Sequence, residues 1–175
     1  MNAAPDPFAR FRDDHALVLE RLDDLEHQWL LPGSARDEAA LRAPLVLFER
    51  QFATHKATED AVLYPALEGA FPTGRSALNA RRFDHDELRL MLRSLLEHLA
   101  APASLERDEQ VLVVLRDFVD LLRLHIHREE SAVFAVASRV LSTTESAALA
   151  HRLATTVVVN PPGAAGPGTS KGTES

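Results

Sequence analysis

His55-Lys56-Ala57-Thr58-Glu59-Asp60 and its echo His125-Ile126-His127-Arg128-Glu129-Glu130 decide how this chain is read. Each places a histidine four residues ahead of a glutamate. On a helix that spacing stacks the two side chains on one face, one turn apart. Both stretches sit inside periodic apolar runs. One reads Leu41, Leu45, Phe48, Phe52, His55, Glu59, Val62, Ala66; the other reads Val111, Leu115, Phe118, Leu122, His125, Glu129, Ala132, Val136. The three-four alternation of a buried stripe holds only if the histidine and the glutamate belong to it.

Two further runs carry one histidine each. From about Phe8 to Leu31 the stripe is Phe8, Phe11, His15, Val18, Leu22, Leu25, Trp29. From after Thr73 to about Ala101 it is Leu78, His85, Leu88, Leu92, Leu95, Leu99, with a polar gap at Arg81 and Arg82. His27, His98 and His127 fall off the stripes. Pro32-Gly33-Ser34 reads as a turn and Gly69 to Gly74 as a connection. Pro44 is expected in the first turn of the second helix, after a separate short turn, and Pro65 to kink or begin to end it. Ser104 is a good cap, and Ser142 with Glu145 forms a capping box that starts a short fifth helix to about Ala154, a lid or brace at one end.

Four long amphipathic helices with short loops predict an all-α, up-down-up-down four-helix bundle over residues 1–156. Residues 157–175, rich in proline, glycine and serine, are expected to form a disordered tail. With alternating helix direction, His15, Glu59, His85 and Glu129 fall within about one turn of the same height at ~1.5 Å per residue. The sequence also echoes itself at an offset of 70 positions: His15/His85, His55/His125, Glu59/Glu129, Asp14/Asp84, Phe48/Phe118 and Tyr64/Phe134. The offset implies a pseudo-two-fold site to which each helical hairpin gives one lone histidine and one histidine–glutamate pair.

Composition narrows the function. The 175 residues are 46% hydrophobic and 26% charged, with a formal net charge of -7 and no basic stripe, which argues against nucleic acid. No cysteine is present, excluding disulfides, thiolate nucleophiles and thiolate-held metals or clusters. Met1 to Arg10 lacks the pattern of a signal peptide, and no apolar run approaches the ~20 residues of a membrane span. A cytoplasmic protein without membrane contact is expected.

Two glutamates buried without compensation would cost several kcal/mol each. Four protonated histidines beside them would offset part of that cost but repel one another. A pair of cations satisfies all six groups, so His15, His55, Glu59, His85, His125 and Glu129 are the candidate metal ligands. Imidazole and carboxylate suit iron, manganese or zinc. Two carboxylates shared by four histidines suggest two ions bridged by both glutamates, a logic typical of di-iron bundles.

The order His15, His55-x-x-x-Glu59 followed by Leu63-Tyr64-Pro65, His85, then His125-x-x-x-Glu129-Glu130 resembles the hemerythrin-like HHE cation-binding family over about residues 8–155. The resemblance implies a non-haem di-iron centre with Glu59 and Glu129 bridging, His15 and His55 on one iron, and His85 and His125 on the other. Oxygen-carrying members have a further histidine one turn after the third-helix ligand, where this chain has Arg89. They also have an aspartate five residues after the last histidine, where Glu129 here stands at four. The reduced ligand set leaves an open position on both irons. It implies binding or sensing of dioxygen, nitric oxide, or redox and iron state, with a diatomic or peroxide as small ligand. The alternatives are a di-iron enzyme of peroxidase, oxidase or nitric oxide reductase type, and a metal-stabilised interaction domain. Asp14, Asp60, Asp84 and Glu130 neighbour ligands in sequence, but adjacent helical positions point elsewhere, which leaves a solvated charge as the alternative to a histidine partner. Arg89 and Tyr64 are candidates for contact with a bridging carboxylate or a bound oxygen species.

Overall fold

A computed structural model describes residues 6–31, 33, 36–70 and 74–155. Helix α1 (Ala9–Leu25) continues into a π-helical turn, Glu26–Leu30. Helix α2 (Glu38–Thr58) runs through a π-turn, Glu59–Leu63, into α3 (Tyr64–Ala70). Helix α4 spans Arg75–Ala100. Helix α5 (Leu105–Arg128) runs through a π-turn, Glu129–Phe134, into α6 (Ala135–Val140), and α7 spans Thr143–Thr155. The four rods form the expected all-α bundle, with no strand among the described residues. No helix among them is long and apolar enough to cross a membrane.

The helix ends follow local chemistry. Ser104 Oγ accepts from Arg107 N at 3.1 Å. Ser142 and Glu145 cap reciprocally: Ser142 N donates to Glu145 Oε2 at 2.8 Å, and Glu145 N to Ser142 Oγ at 3.3 Å. The start of α2 differs from expectation. Asp37 caps it, accepting from Ala39 N at 2.9 Å, so the helix begins at Glu38 and Pro44 lies inside it rather than at its first turn. Two forces carry the helix past the proline. Leu41 and Leu45 are both fully buried, fixing the rod on either side. Ala40, whose carbonyl loses its partner, is exposed to water. Pro65 does not end its helix either; α3 continues through Gly69 to Ala70. Of the turn at Pro32-Gly33-Ser34, Gly33 takes the positive φ of 81° that suits glycine, while Pro32 and Ser34 lie outside the described residues. Thr73 and the tail 157–175 also lie outside them.

Two apolar clusters fill the bundle. One gathers Leu22, Leu25, Trp29, Leu41, Phe48, Leu95 and Phe118 among others. The other gathers Phe8, Phe11, Leu63, Tyr64, Leu78 and Phe134, closed by Leu149 and Leu153 of α7, which braces that end. Between the clusters lies a polar layer.

Candidate metal centre

Both histidine–glutamate pairs end their α-helical segment where a π-turn begins, at Glu59 and at Glu129. A π-turn bonds i to i+5 and so takes one residue more than an α-turn. The buried stripe therefore slips by one position past each glutamate. Ala66 and Val136, expected on the stripe, are only half-buried and Ala132 is exposed, whereas Leu67, Val133, Phe134 and Ala137 are buried. Pro65 follows the first π-turn. The second turn has Ala135 there, so proline is not the common cause.

The six predicted residues meet. His15, His85, His125, Glu59 and Glu129 are each at most 3% exposed, and His55 is half-buried. The Nε2 atoms of His15 and His55 lie 3.2 Å apart, as do those of His85 and His125. Glu59 spans the two pairs, with Oε1 2.8 Å from His55 Nε2 and Oε2 3.0 Å from His85 Nε2. Glu129 Oε2 lies 3.5 Å from His15 Nε2 and 3.6 Å from His125 Nε2. Two groups of donors result, within 4.8 Å of one another in each: His15, His55, Glu59 and Glu129; and Glu59, His85 and His125.

The residues fit a pair of cations. Glu129 Oε2 is a buried oxygen with no hydrogen bond, and the two carboxylates between them face the Nε2 atoms of all four imidazoles. Three of the imidazoles also meet a carboxylate through Nδ1, the arrangement that fixes a metal-binding histidine in orientation and tautomer. His15 Nδ1 lies 2.9 Å from Glu130 Oε1, His55 Nδ1 3.4 Å from Asp14 Oδ2, and His125 Nδ1 3.5 Å from Asp84 Oδ2. Asp84 is held in turn by buried Arg81 at 3.0 Å, in the expected polar gap of that helix. Asp60 does not follow. It pairs with Lys56 at 2.7 Å and approaches Arg82 at 3.6 Å, and no carboxylate pairs with His85 Nδ1. Reading one helix at a time misses the three contacts, because each runs between helices. Arg89 is exposed, and no ion pair joins it to either glutamate.

Aromatic rings pack the layer. Phe134 stacks on His15 with centroids 5.9 Å apart, and Tyr64, its mate at the 70-residue offset, stacks on His85 at 6.1 Å. Only the tyrosine carries a hydroxyl. Its Oη donates to Glu129 Oε1 at 3.0 Å and approaches Glu59 Oε2 at 3.4 Å.

Charge in the metal-free layer is divided unequally. Burial would raise Glu59, but the charge of His55 and hydrogen bonds from His55 and His85 hold it well below the usual carboxylate range. Burial and the charge of Glu59 push Glu129 well above that range. Burial and repulsion by His55 lower His15 to about 4. Burial opposes a charge on His55 too, yet Glu59 and Asp14 raise it to about 10. Without metal the layer thus favours a proton on His55 and on Glu129 and disfavours one on Glu59 and on His15.

A family model described as the hemerythrin HHE cation binding domain matches residues 4–137. No curated protein matches the chain.

Proposed function

The chain belongs to the hemerythrin HHE cation binding domain family, and from that premise we propose that it is a non-haem di-iron protein. In this reading it binds or senses dioxygen, nitric oxide, or redox and iron state. The observation that carries the proposal is Glu59, whose two oxygens lie 2.8 and 3.0 Å from histidines of opposite pairs. A carboxylate so placed would serve an ion at each histidine pair rather than one ion alone. His15 and His55 would hold one iron, and His85 and His125 the other, with Glu59 and Glu129 between them. The iron pair would supply reducible centres with open positions for a small ligand.

The rest of the chemistry belongs to the protein. Asp14, Asp84 and Glu130 aim three imidazoles inward. Phe11, Phe52, Phe134 and Tyr64 pack against the histidine rings. Tyr64 is fully buried, and burial with the charges of Glu59 and Glu129 pushes its hydroxyl far upward. It therefore keeps its proton and acts as a hydrogen-bond donor to Glu129.

Metal analysis with optical titration tests the proposal. The expected result is two irons per chain and a near-ultraviolet band that changes on adding dioxygen, peroxide or nitric oxide. A single zinc, with no response to any of the three, would overturn it.

A further inference from the structure

Against the first histidine pair, between α1, α2 and the inner faces of α4 and α5, lies a cavity of about 360 Å³. His15, His55 and His125 line it on the side of the metal centre, but Glu59, Glu129 and His85 do not, so it is not the metal-holding space itself. Its walls are largely apolar, with Phe11, Phe48, Phe52 and Phe118 the four rings among them. A cavity of about 150 Å³ accommodates benzene. The space here is more than twice that and far exceeds what a diatomic or peroxide fills.

Arg10, Asp14, Arg50, Gln51, Thr54 and Thr58 interrupt the wall, and one buried acceptor among them is unpaired. Gln51 lines the cavity, and its Oε1 is buried with no hydrogen-bond partner. An unpaired buried acceptor is costly, and a ligand that donates to it removes the cost. The 70-residue echo shows that the pseudo-symmetry breaks at this place. Val18 stands where the second hairpin has the larger Leu88, which is 1% exposed, and Gln51 stands where it has Leu121. The second hairpin closes its half of the core with leucine. The first opens it and adds an amide.

We infer that this cavity binds a neutral aromatic hydroxyl compound of one or two rings, its ring among the four phenylalanines and its O–H donating to Gln51 Oε1. Aromatic walls favour an aromatic occupant through edge and offset contacts. A phenolate or carboxylate has no proton to donate to Gln51 Oε1, which selects the neutral hydroxyl. The ligand would lie beside His15 and His55 without needing the metal. The inference thus goes beyond the di-iron reading and can fail separately from it.

Calorimetric titration of the full chain, both metal-loaded and metal-stripped, with 2-naphthol, naphthalene and octanoate as probes, tests it. The expected result in both forms is one saturable site for 2-naphthol, with naphthalene about tenfold weaker for want of one hydrogen bond. Val18→Phe fills the space and abolishes binding, with helical circular dichroism reporting that the variant folds. Gln51→Leu, which copies the second hairpin, erases the preference for 2-naphthol over naphthalene and decides the matter if Val18→Phe does not fold. Absence of saturable 2-naphthol binding up to about 1 mM, tighter binding of octanoate, or a preference that survives Gln51→Leu would overturn it.

Discussion

Asp14 and Asp84 each stand one position before a histidine of the polar layer, yet each reaches the histidine of the neighbouring helix: Asp14 meets His55 and Asp84 meets His125. A helix cannot direct adjacent residues to one point, but an antiparallel hairpin can bring the first residue's carboxylate to its partner rod. This local geometry sets the residue-scale predictions. Loss of a carboxylate that orients a ligand typically lowers metal affinity about 10- to 100-fold. Asp14→Asn and Asp84→Asn are each expected to show that loss in competition with a chelator, and unchanged affinity would return both to plain surface charges. Glu59→Ala and Glu129→Ala are expected to lose metal altogether. His127, which is exposed, and His98, which is half-buried, belong to no donor group, so His127→Ala and His98→Ala should retain full metal content. Equal loss on His127→Ala would mean that the helical phasing is wrong.

At the scale of the element, the π-turns matter most. Each begins at a glutamate and absorbs one extra residue, so the rod above and the rod below both keep an apolar face on the core. Deleting Ala61, exposed within the first π-turn, is expected to convert it to an α-turn and leave Leu67 and α3 on the core. Deleting Glu49, exposed in regular α2, instead rotates one half of the rod about 100° against the other and strips His55 and Glu59 from the layer. Thermal melts followed by circular dichroism should show cooperative unfolding for the first deletion and collapse of the transition for the second. Equal damage from both would deny the π-turn its role as a spacer. The same turns mark where the sequence stops being legible. Period 3.6 carries the reading correctly to His55, Glu59, His125 and Glu129, because those rods are regular that far. Past the glutamates it names Ala66 and Ala132 where Leu67 and Val133 are buried, since composition does not reveal a change in backbone hydrogen bonding. Pro44 misleads for a related reason. Its cost is set by whether Ala40 faces water, a tertiary fact.

On the scale of the whole molecule, the polar layer separates two apolar clusters, and its protonation links stability to pH. In the metal-free protein His15 is held at about 4 and His125 is also lowered by burial, against ~6.5 in an unfolded chain. Below ~6.5 the unfolded state therefore binds more protons at these two sites, and stability falls with acidification. Glu129, raised by burial and Glu59, opposes them over part of that window as a single group against two. Above ~6.5 the sign reverses. His55, held at about 10 by Glu59 and Asp14 against the cost of burial, keeps a proton that the unfolded chain has lost, so its contribution fades as pH rises towards 10. Glu129 adds to the decline for as long as it stays protonated. The metal-free protein should thus melt highest near pH 6.5 and lower on either side. Cations reverse the alkaline limb, because ligands bind them deprotonated and affinity rises as competing protons leave. The metal-loaded protein is then expected to hold or gain melting temperature from pH 6.5 to 9, while the stripped protein loses it. Scanning calorimetry of both forms across that range decides the point, and parallel profiles would show that the six side chains do not exchange protons for metal.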